Sequence, residues 1–198
     1  MLPSDVWHWV NDPQFPSFNL VFARSKSTES VLGAYGADVK SAAVMTRRES
    51  LAQFPRREVE VLLRIGTFGD WTFCYEDRKL LGITKDVRIS LSRESETIGL
   101  FKGGDGMRSF ERMQDCRRIE LFEPHRPSEV HGEGPFVFAD LVSGKLSGAG
   151  PDTLGMSALT LVLAERLGLI LDRDVLEGPL LTAPLGETGP PRGRPRSA

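Results

Sequence analysis

The chain has 198 residues, of which 40% are hydrophobic and 26% are charged, and its formal net charge is −2 at pH 7. This composition is typical of a globular protein, and the near-neutral charge gives no general attraction to nucleic acid or to an anionic membrane. No apolar run approaches the roughly 20 residues that cross a bilayer, and the N-terminus has no signal-peptide pattern. We expect Cys74 and Cys116 to be free thiols of a cytoplasmic protein.

The N-terminal part of the chain is predicted to contain short elements that are separated by prolines and glycines. In chain order they are a helix capped by Ser4 that ends before Asp12, a strand at 18–23, a helix at 29–35 that ends at Gly36, a short strand or loop at 41–45, and a helix capped by Thr46 that ends before Pro55.

The clearest local pattern is a hairpin over residues 59–76. In its second half Trp71, Phe73 and Tyr75 alternate with polar or small residues. Alternation with a period of two predicts a half-buried strand, and three aromatic rings on one face predict that this face lies in the core. We therefore place this hairpin at the centre of a sheet.

The segment at 84–92 fits two structures. Val87, Ile89 and Leu91 alternate as in a strand, yet Val87 and Leu91 also form an i, i+4 pair as in a helix. After it we predict a strand at 97–101, a hairpin at 108–122, an irregular surface segment at 125–151 with room for one short strand, a helix at 152–167 capped by Asp152, a short turn after Asp172, and leucines at 180 and 181 that return to the body.

These elements predict an α+β fold. We expect a mixed or antiparallel sheet with short helices and one longer C-terminal helix packed on one face. Residues 1–185 would form a single domain, and the Pro-, Gly- and Arg-rich tail at 186–198 would be disordered because it has no apolar anchor.

The familiar catalytic and metal-binding motifs are incomplete in this chain. Gly144-Lys145 lacks the upstream glycine and the following Ser or Thr of a phosphate loop, and Ser157 lacks the final glycine of a nucleophile elbow. His125 and His131 lie among glutamates, but no rigid spacing holds them as metal ligands. We therefore predict no catalytic residue, no metal and no cofactor.

The candidate binding residues lie at the ends of the two hairpins, and they are Asp70, Trp71, Glu76, Arg108 and Glu123. A carboxylate beside aromatic rings can have a raised pKa and act as a general acid. The simpler interpretation is that Asp70 caps a turn and that Glu76 and Asp77 face solvent at the strand end. We expect the simpler interpretation to hold, with Trp71 in the core unless it forms part of a binding surface.

Several motifs in this order resemble a known family. They include Trp7 with Asp12-Pro13, the run Gly69-Asp70-Trp71-Thr72-Phe73 followed by Glu76, and the helix at 158–167 that leads into residues 176–181. The chain resembles, over about residues 5–182, a family of small, mostly actinomycete proteins that is catalogued only as a domain of unknown function. The resemblance implies a compact α+β fold and a helix at 84–92, and it supplies no activity.

Two departures from the family pattern bear on any family site. The resemblance implies a Gly-Trp pair and a helix after Glu76, whereas this chain continues Asp-Arg-Lys-Leu-Leu-Gly. It also implies asparagines where this chain has Gly103-Gly104-Asp105-Gly106. A family site formed by either loop would differ here.

No specific biochemical function can be assigned from these patterns, and two classes remain open. The leading hypothesis is a non-catalytic cytoplasmic protein that binds an unknown protein partner, and a toxin-neutralising immunity-type protein is one version of it. The alternative is an enzyme or small-ligand binder whose site is built from scattered residues such as Asp70, Glu76, Arg108 and Glu123. A deep pocket with convergent polar groups would favour the alternative, and an exposed aromatic patch would favour a protein partner.

Overall fold

The computed structural model describes residues 7–147 and 154–185, which form one nine-stranded sheet in which every pairing is antiparallel. The strands are β1 (Phe18–Arg24), β2 (Ala43–Met45), β3 (Val61–Phe68), β4 (Trp71–Glu76), β5 (Glu96–Lys102), β6 (Arg108–Gln114), β7 (Arg117–Glu123), β8 (Arg126–His131) and β9 (Leu180–Leu185). Their order across the sheet is β2-β9-β3-β4-β1-β5-β6-β7-β8.

Helices cover both faces of this sheet. They are α1 (Thr28–Tyr35), α2 (Arg47–Gln53), α3 (Lys85–Ser92), α4 (Val137–Leu146), α5 (Leu154–Leu167) and α6 (Arg173–Glu177), with 3-10 turns at His8–Asn11, Val39–Ser41 and Leu81–Ile83. On one face the core contains apolar side chains of α4, α5 and α6, and on the other it contains those of α1 and α3. No helix in the described ranges is long and apolar enough to span a membrane.

The predicted fold class is confirmed. The sheet is antiparallel, the helices are short, and the longest described helix, α5, packs on one face. The division into one domain at 1–185 and a disordered tail stays a prediction. The tail at 186–198, Ser4 and Asp152 lie outside the described residues.

The predicted hairpin at 59–76 corresponds to β3 and β4, with β4 in the middle part of the sheet. Its loop has two residues, and Gly69 takes a positive φ of 59°, which glycine adopts without steric cost. Trp71, Phe73 and Tyr75 are buried as predicted, but so is the opposite side of β4. The expectation of a half-buried strand is therefore wrong, because α1 and α3 cover the face that should have met water.

The ambiguous segment at 84–92 is the helix α3. Val87 and Leu91 are both buried against the sheet, as the i, i+4 spacing and the family resemblance implied.

The described part of the segment at 125–151 contains one short strand, the edge strand β8, and also the helix α4, which was not predicted. β8 is mostly exposed and therefore has no apolar alternation to reveal it. The backbone N–H groups of Phe138 and Ala139, in the first turn of α4, donate to the buried carboxylate of Glu120 on β7 at 2.9 and 3.2 Å. A long-range contact thus caps a helix that has no side-chain cap of its own.

Trp71→Ala should destabilise the fold by about 3–5 kcal/mol, because the indole is only 3% exposed and its loss would leave a cavity. Phe68→Ala is the matched control. Phe68 faces Trp71 across the same hairpin but is 37% exposed, so it should change stability by less than about 1 kcal/mol. Urea unfolding of both variants measures the difference, and equal midpoints would contradict the assigned burial.

Candidate functional site

The five predicted binding residues do not form one site. Asp70 and Trp71 lie at the start of β4 and Glu76 lies at its end, whereas Arg108 and Glu123 lie on β6 and β7. Two strands, β1 and β5, separate β4 from β6.

The other four residues lie in separate local surroundings. Asp70 is exposed and accepts a hydrogen bond from Arg24 Nε at 2.7 Å. Trp71 belongs to the core beneath the same arginine. The backbone of Arg108 lies opposite that of Lys102 in the β5–β6 pairing, and its buried Nε has no hydrogen-bond partner among the described residues. Glu123 lies 3.2 Å from His125 Nε2 near the surface.

Glu76 corrects the sequence expectation, because it is fully buried at the strand end where a solvent-facing carboxylate was predicted. Its carboxylate accepts hydrogen bonds from Asn19 Nδ2 at 2.9 Å, from the Gly82 N–H at 2.9 Å and from the Leu81 N–H at 3.1 Å. Burial raises the pKa of Glu76 to about 7, against the opposing effects of these hydrogen bonds and of the charge on Arg88.

The contacts of Glu76 fix the chain that follows β4. The N–H groups of Leu81 and Gly82 donate to the Glu76 carboxylate. Residues 77–80 therefore form a short arch whose two ends both lie beside Glu76. Gly82 is packed so closely that an added Cβ would lie 2.9 Å from Glu76 Oε2 and nearer still to the Asn19 amide and the Tyr35 hydroxyl.

This arch lines a pocket of about 410 Å³. The pocket is lined by the 14–17 connection, by α2 and its following loop, and by the end of β4, through residues Gln14, Phe15, Pro16, Ser17, Arg47, Leu51, Arg56, Tyr75, Asp77 and Arg78. Apolar groups thus face a set of three arginines and one carboxylate.

Arg47 is the only one of the three that forms ion pairs in the described part of the chain. Its guanidinium contacts Asp77 at 2.8 Å and Glu177 at 3.3 Å and lies over the Phe15 ring at 5.1 Å. Burial opposes the charge, but the hydrogen bond and charge of Asp77 leave the pKa of Arg47 raised. The buried Nε has no hydrogen-bond partner among the described residues.

The charges of Arg56 and Arg78 meet carbonyls rather than carboxylates. Arg78 donates to the carbonyls of Val59 at 2.8 Å and Phe54 at 2.7 Å, and Arg56 donates to the carbonyl of Asp77 at 3.0 Å. Burial lowers the pKa of Arg78 against the opposing charge of Asp77, and the charge of Arg56 lowers it further. The pocket therefore carries positive charge that no neighbouring carboxylate pairs with in the described ranges.

The hydroxyl of Tyr75 is the second buried donor at this pocket without a partner among the described residues. Burial and the charge of Asp77 raise the pKa of this phenol, so it stays a neutral O–H donor. A buried donor without an acceptor costs about 1–3 kcal/mol, and a ligand that supplies an acceptor removes this cost.

A second pocket, of about 380 Å³, lies between α3 and the β6–β7 hairpin. Its central carboxylate, Glu111, is paired with both Arg88 and Arg118. Because both oxygens are already engaged, this pocket has less unmet hydrogen-bonding capacity than the first. No group of three or more metal-ligating side chains occurs in residues 7–147 and 154–185.

Sequence reasoning identified none of Arg47, Arg56, Arg78 and the Tyr75 hydroxyl as site groups. Tyr75 was assigned to the core by its ring, and Asp77 to solvent. The sequence does contain several arginines between residues 47 and 57, but its hydrophobic pattern does not show that they lie next to the end of β4.

Gly82→Ala should destabilise the protein by about 1–3 kcal/mol, because the new methyl group overlaps three polar side chains and forces them apart. Gly33→Ala is the matched control, since Gly33 is an exposed position inside α1 with no atom within 4 Å of an added Cβ. That change should stabilise the helix by up to about 1 kcal/mol. Thermal unfolding measures the change in melting temperature of each variant. A melting temperature for Gly82→Ala that is not below that of the wild type would contradict the close packing at Gly82.

Glu76→Gln should flatten the dependence of stability on pH. The fold binds the Glu76 proton more tightly than the unfolded chain does, so this stabilisation is complete below about pH 4.5 and is lost as pH rises through about 7. The stability of the wild type should therefore fall by up to about 3 kcal/mol more than that of the variant between pH 5 and 8. Urea unfolding at several pH values measures this difference.

Glu60→Gln is the control for this titration, because Glu60 is exposed beside Lys79. It should keep the pH dependence of the wild type. Parallel curves for the wild type and Glu76→Gln would show that the carboxylate does not titrate in this range.

Comparison with known proteins identifies the family but no function. Residues 8–170 match the family of unknown function DUF6461, which confirms the resemblance seen in the sequence motifs. No curated protein and no solved structure matches the chain. The match covers most of the sequence, and the chain therefore belongs to DUF6461, a family of unknown function.

Proposed function

We propose that this protein binds a small anionic ligand in the pocket lined by Arg47, Arg56, Arg78 and Tyr75. One observation carries the proposal: two buried donors, the Tyr75 hydroxyl and Arg47 Nε, have no described partner beside this positively charged pocket. Buried polar groups in native proteins are nearly always hydrogen-bonded, so orphaned donors at a concave site indicate an acceptor that comes from outside.

The charges of the pocket indicate the sign of this acceptor. Arg56 and Arg78 have only carbonyl acceptors, and the one carboxylate of the lining, Asp77, is engaged by Arg47. An incoming carboxylate or phosphate would form charge-assisted hydrogen bonds, which are about twice as strong as neutral ones. A neutral ligand would leave the positive charge of the pocket unmatched.

The surface supports this proposal better than it supports recognition through aromatic side chains. Trp71, Phe73 and Tyr75 are buried, and among the described Phe, Trp and Tyr residues only Phe68 is exposed. Binding of a protein partner, an immunity-type role and a cytoplasmic location stay predictions. Capture of the same protein partner in repeated pull-downs would favour them.

Thermal shift and calorimetric titration with acetate, benzoate and inorganic phosphate test the proposal, with acetamide and benzamide as uncharged analogues. At least one anion should raise the melting temperature with increasing concentration, because a ligand that binds only the folded state stabilises it. Tyr75→Phe should weaken that binding by about tenfold, the value of one hydrogen bond.

Tyr35→Phe is the matched control. Its hydroxyl is also buried, but it lies beside Cys74 and Glu76 and not in the pocket. Neither variant should lose more than about 1 kcal/mol of stability, and only Tyr75→Phe should lose affinity. The proposal would be contradicted if none of the anions bound, or if the wild type, Tyr75→Phe and Tyr35→Phe bound them with equal affinity.

A further inference from the structure

We propose, on the basis of the anion-binding function above, that the ligand is an organic carboxylate with an apolar substituent. The carboxylate would face the arginines and the Tyr75 hydroxyl, and the substituent would cover Pro16 and Leu51. The charge balance, the volume and the exposed apolar lining of the pocket each support one part of this description.

The charge of the lining favours an anion. The guanidinium groups of Arg47, Arg56 and Arg78 face the one carboxylate of Asp77. Glu177, outside the lining, contacts both Arg47 and Arg173, so it does not cancel a second charge of the pocket. A carboxylate supplies a negative charge and two acceptor oxygens for guanidinium N–H groups.

The volume of the pocket exceeds that of a carboxylate alone. A water molecule takes about 30 Å³ of liquid volume, and a carboxylate is only a few times larger. The pocket measures about 410 Å³. A ligand that fills it must therefore carry several further heavy atoms.

The lining shows what those atoms should be. Leu51, in α2, is 42% exposed although it lines the pocket, and Pro16 is exposed on the opposite connection. The buried ring of Phe15 also lines the pocket, with the guanidinium of Arg47 packed over it. Covering exposed apolar surface is favourable in proportion to its area, so an apolar substituent adds affinity that acetate cannot supply.

Calorimetric titration of the full chain with acetate, benzoate, benzyl alcohol and inorganic phosphate tests this inference. We expect benzoate to bind at least about tenfold more tightly than acetate and more tightly than phosphate, and benzyl alcohol not to bind measurably. Leu51→Ala should weaken benzoate binding at least about threefold and weaken acetate binding less, because acetate has only a methyl group to place against this side chain.

Leu161→Ala is the control, because Leu161 is 37% exposed on α5 and does not line the pocket. It should leave both affinities unchanged. Three outcomes would overturn the inference without contradicting the proposed anion site. They are equal affinity for acetate and benzoate, tighter binding of phosphate than of benzoate, and equal effects of Leu51→Ala and Leu161→Ala on benzoate binding. Absence of binding by all three anions would overturn both.

Discussion

The buried carboxylate of Glu76 organises the end of β4, the strand from which the pocket extends. A carboxylate without solvent contact is unfavourable unless it is neutralised or hydrogen-bonded, and Asn19 together with two N–H groups of the 81–82 turn supplies the bonds. In return, the turn is fixed against the sheet. The intervening arch then holds Asp77 and Arg78 at the pocket, directly after Tyr75 in the chain.

The lining of the pocket combines three arginines with one carboxylate. Some buried charges elsewhere have closer electrostatic partners, as Glu111 has in two arginines and Glu120 has in the first turn of α4, whereas Arg64 donates only to carbonyls. At the pocket two arginines point to carbonyls, and the Tyr75 hydroxyl points to no described acceptor. A polar network that is incomplete by itself is costly, and a ligand completes it.

Local sequence patterns predicted the elements that local forces determine. The hairpin of β3 and β4 follows from aromatic alternation and a glycine turn, and α2 follows from the capping box of Thr46 and Glu49. Long-range contacts determine the rest. β8 is an exposed edge strand, and the first turn of α4 donates to the carboxylate of Glu120. β9 is a strand because it pairs with β2 on one side and β3 on the other.

The burial of Glu76 could not be predicted for a related reason. Alternation shows which residues share a face, but it does not show that α1 and α3 cover that face. The pocket depends on the same tertiary information, since its arginines come from α2, its following loop and the arch after β4. The alternation predicted correctly that the Tyr75 ring is buried. It could not show that the Tyr75 hydroxyl has no hydrogen-bond acceptor among the described residues.

The most direct test of the account is anomalous diffraction at the bromine edge from crystals soaked with 4-bromobenzoate. We expect a bromine peak beside Leu51 and Pro16, with carboxylate density within hydrogen-bond distance of the Tyr75 hydroxyl. An empty pocket at a concentration that saturates binding in solution, or a bromine peak only elsewhere on the protein, would contradict it.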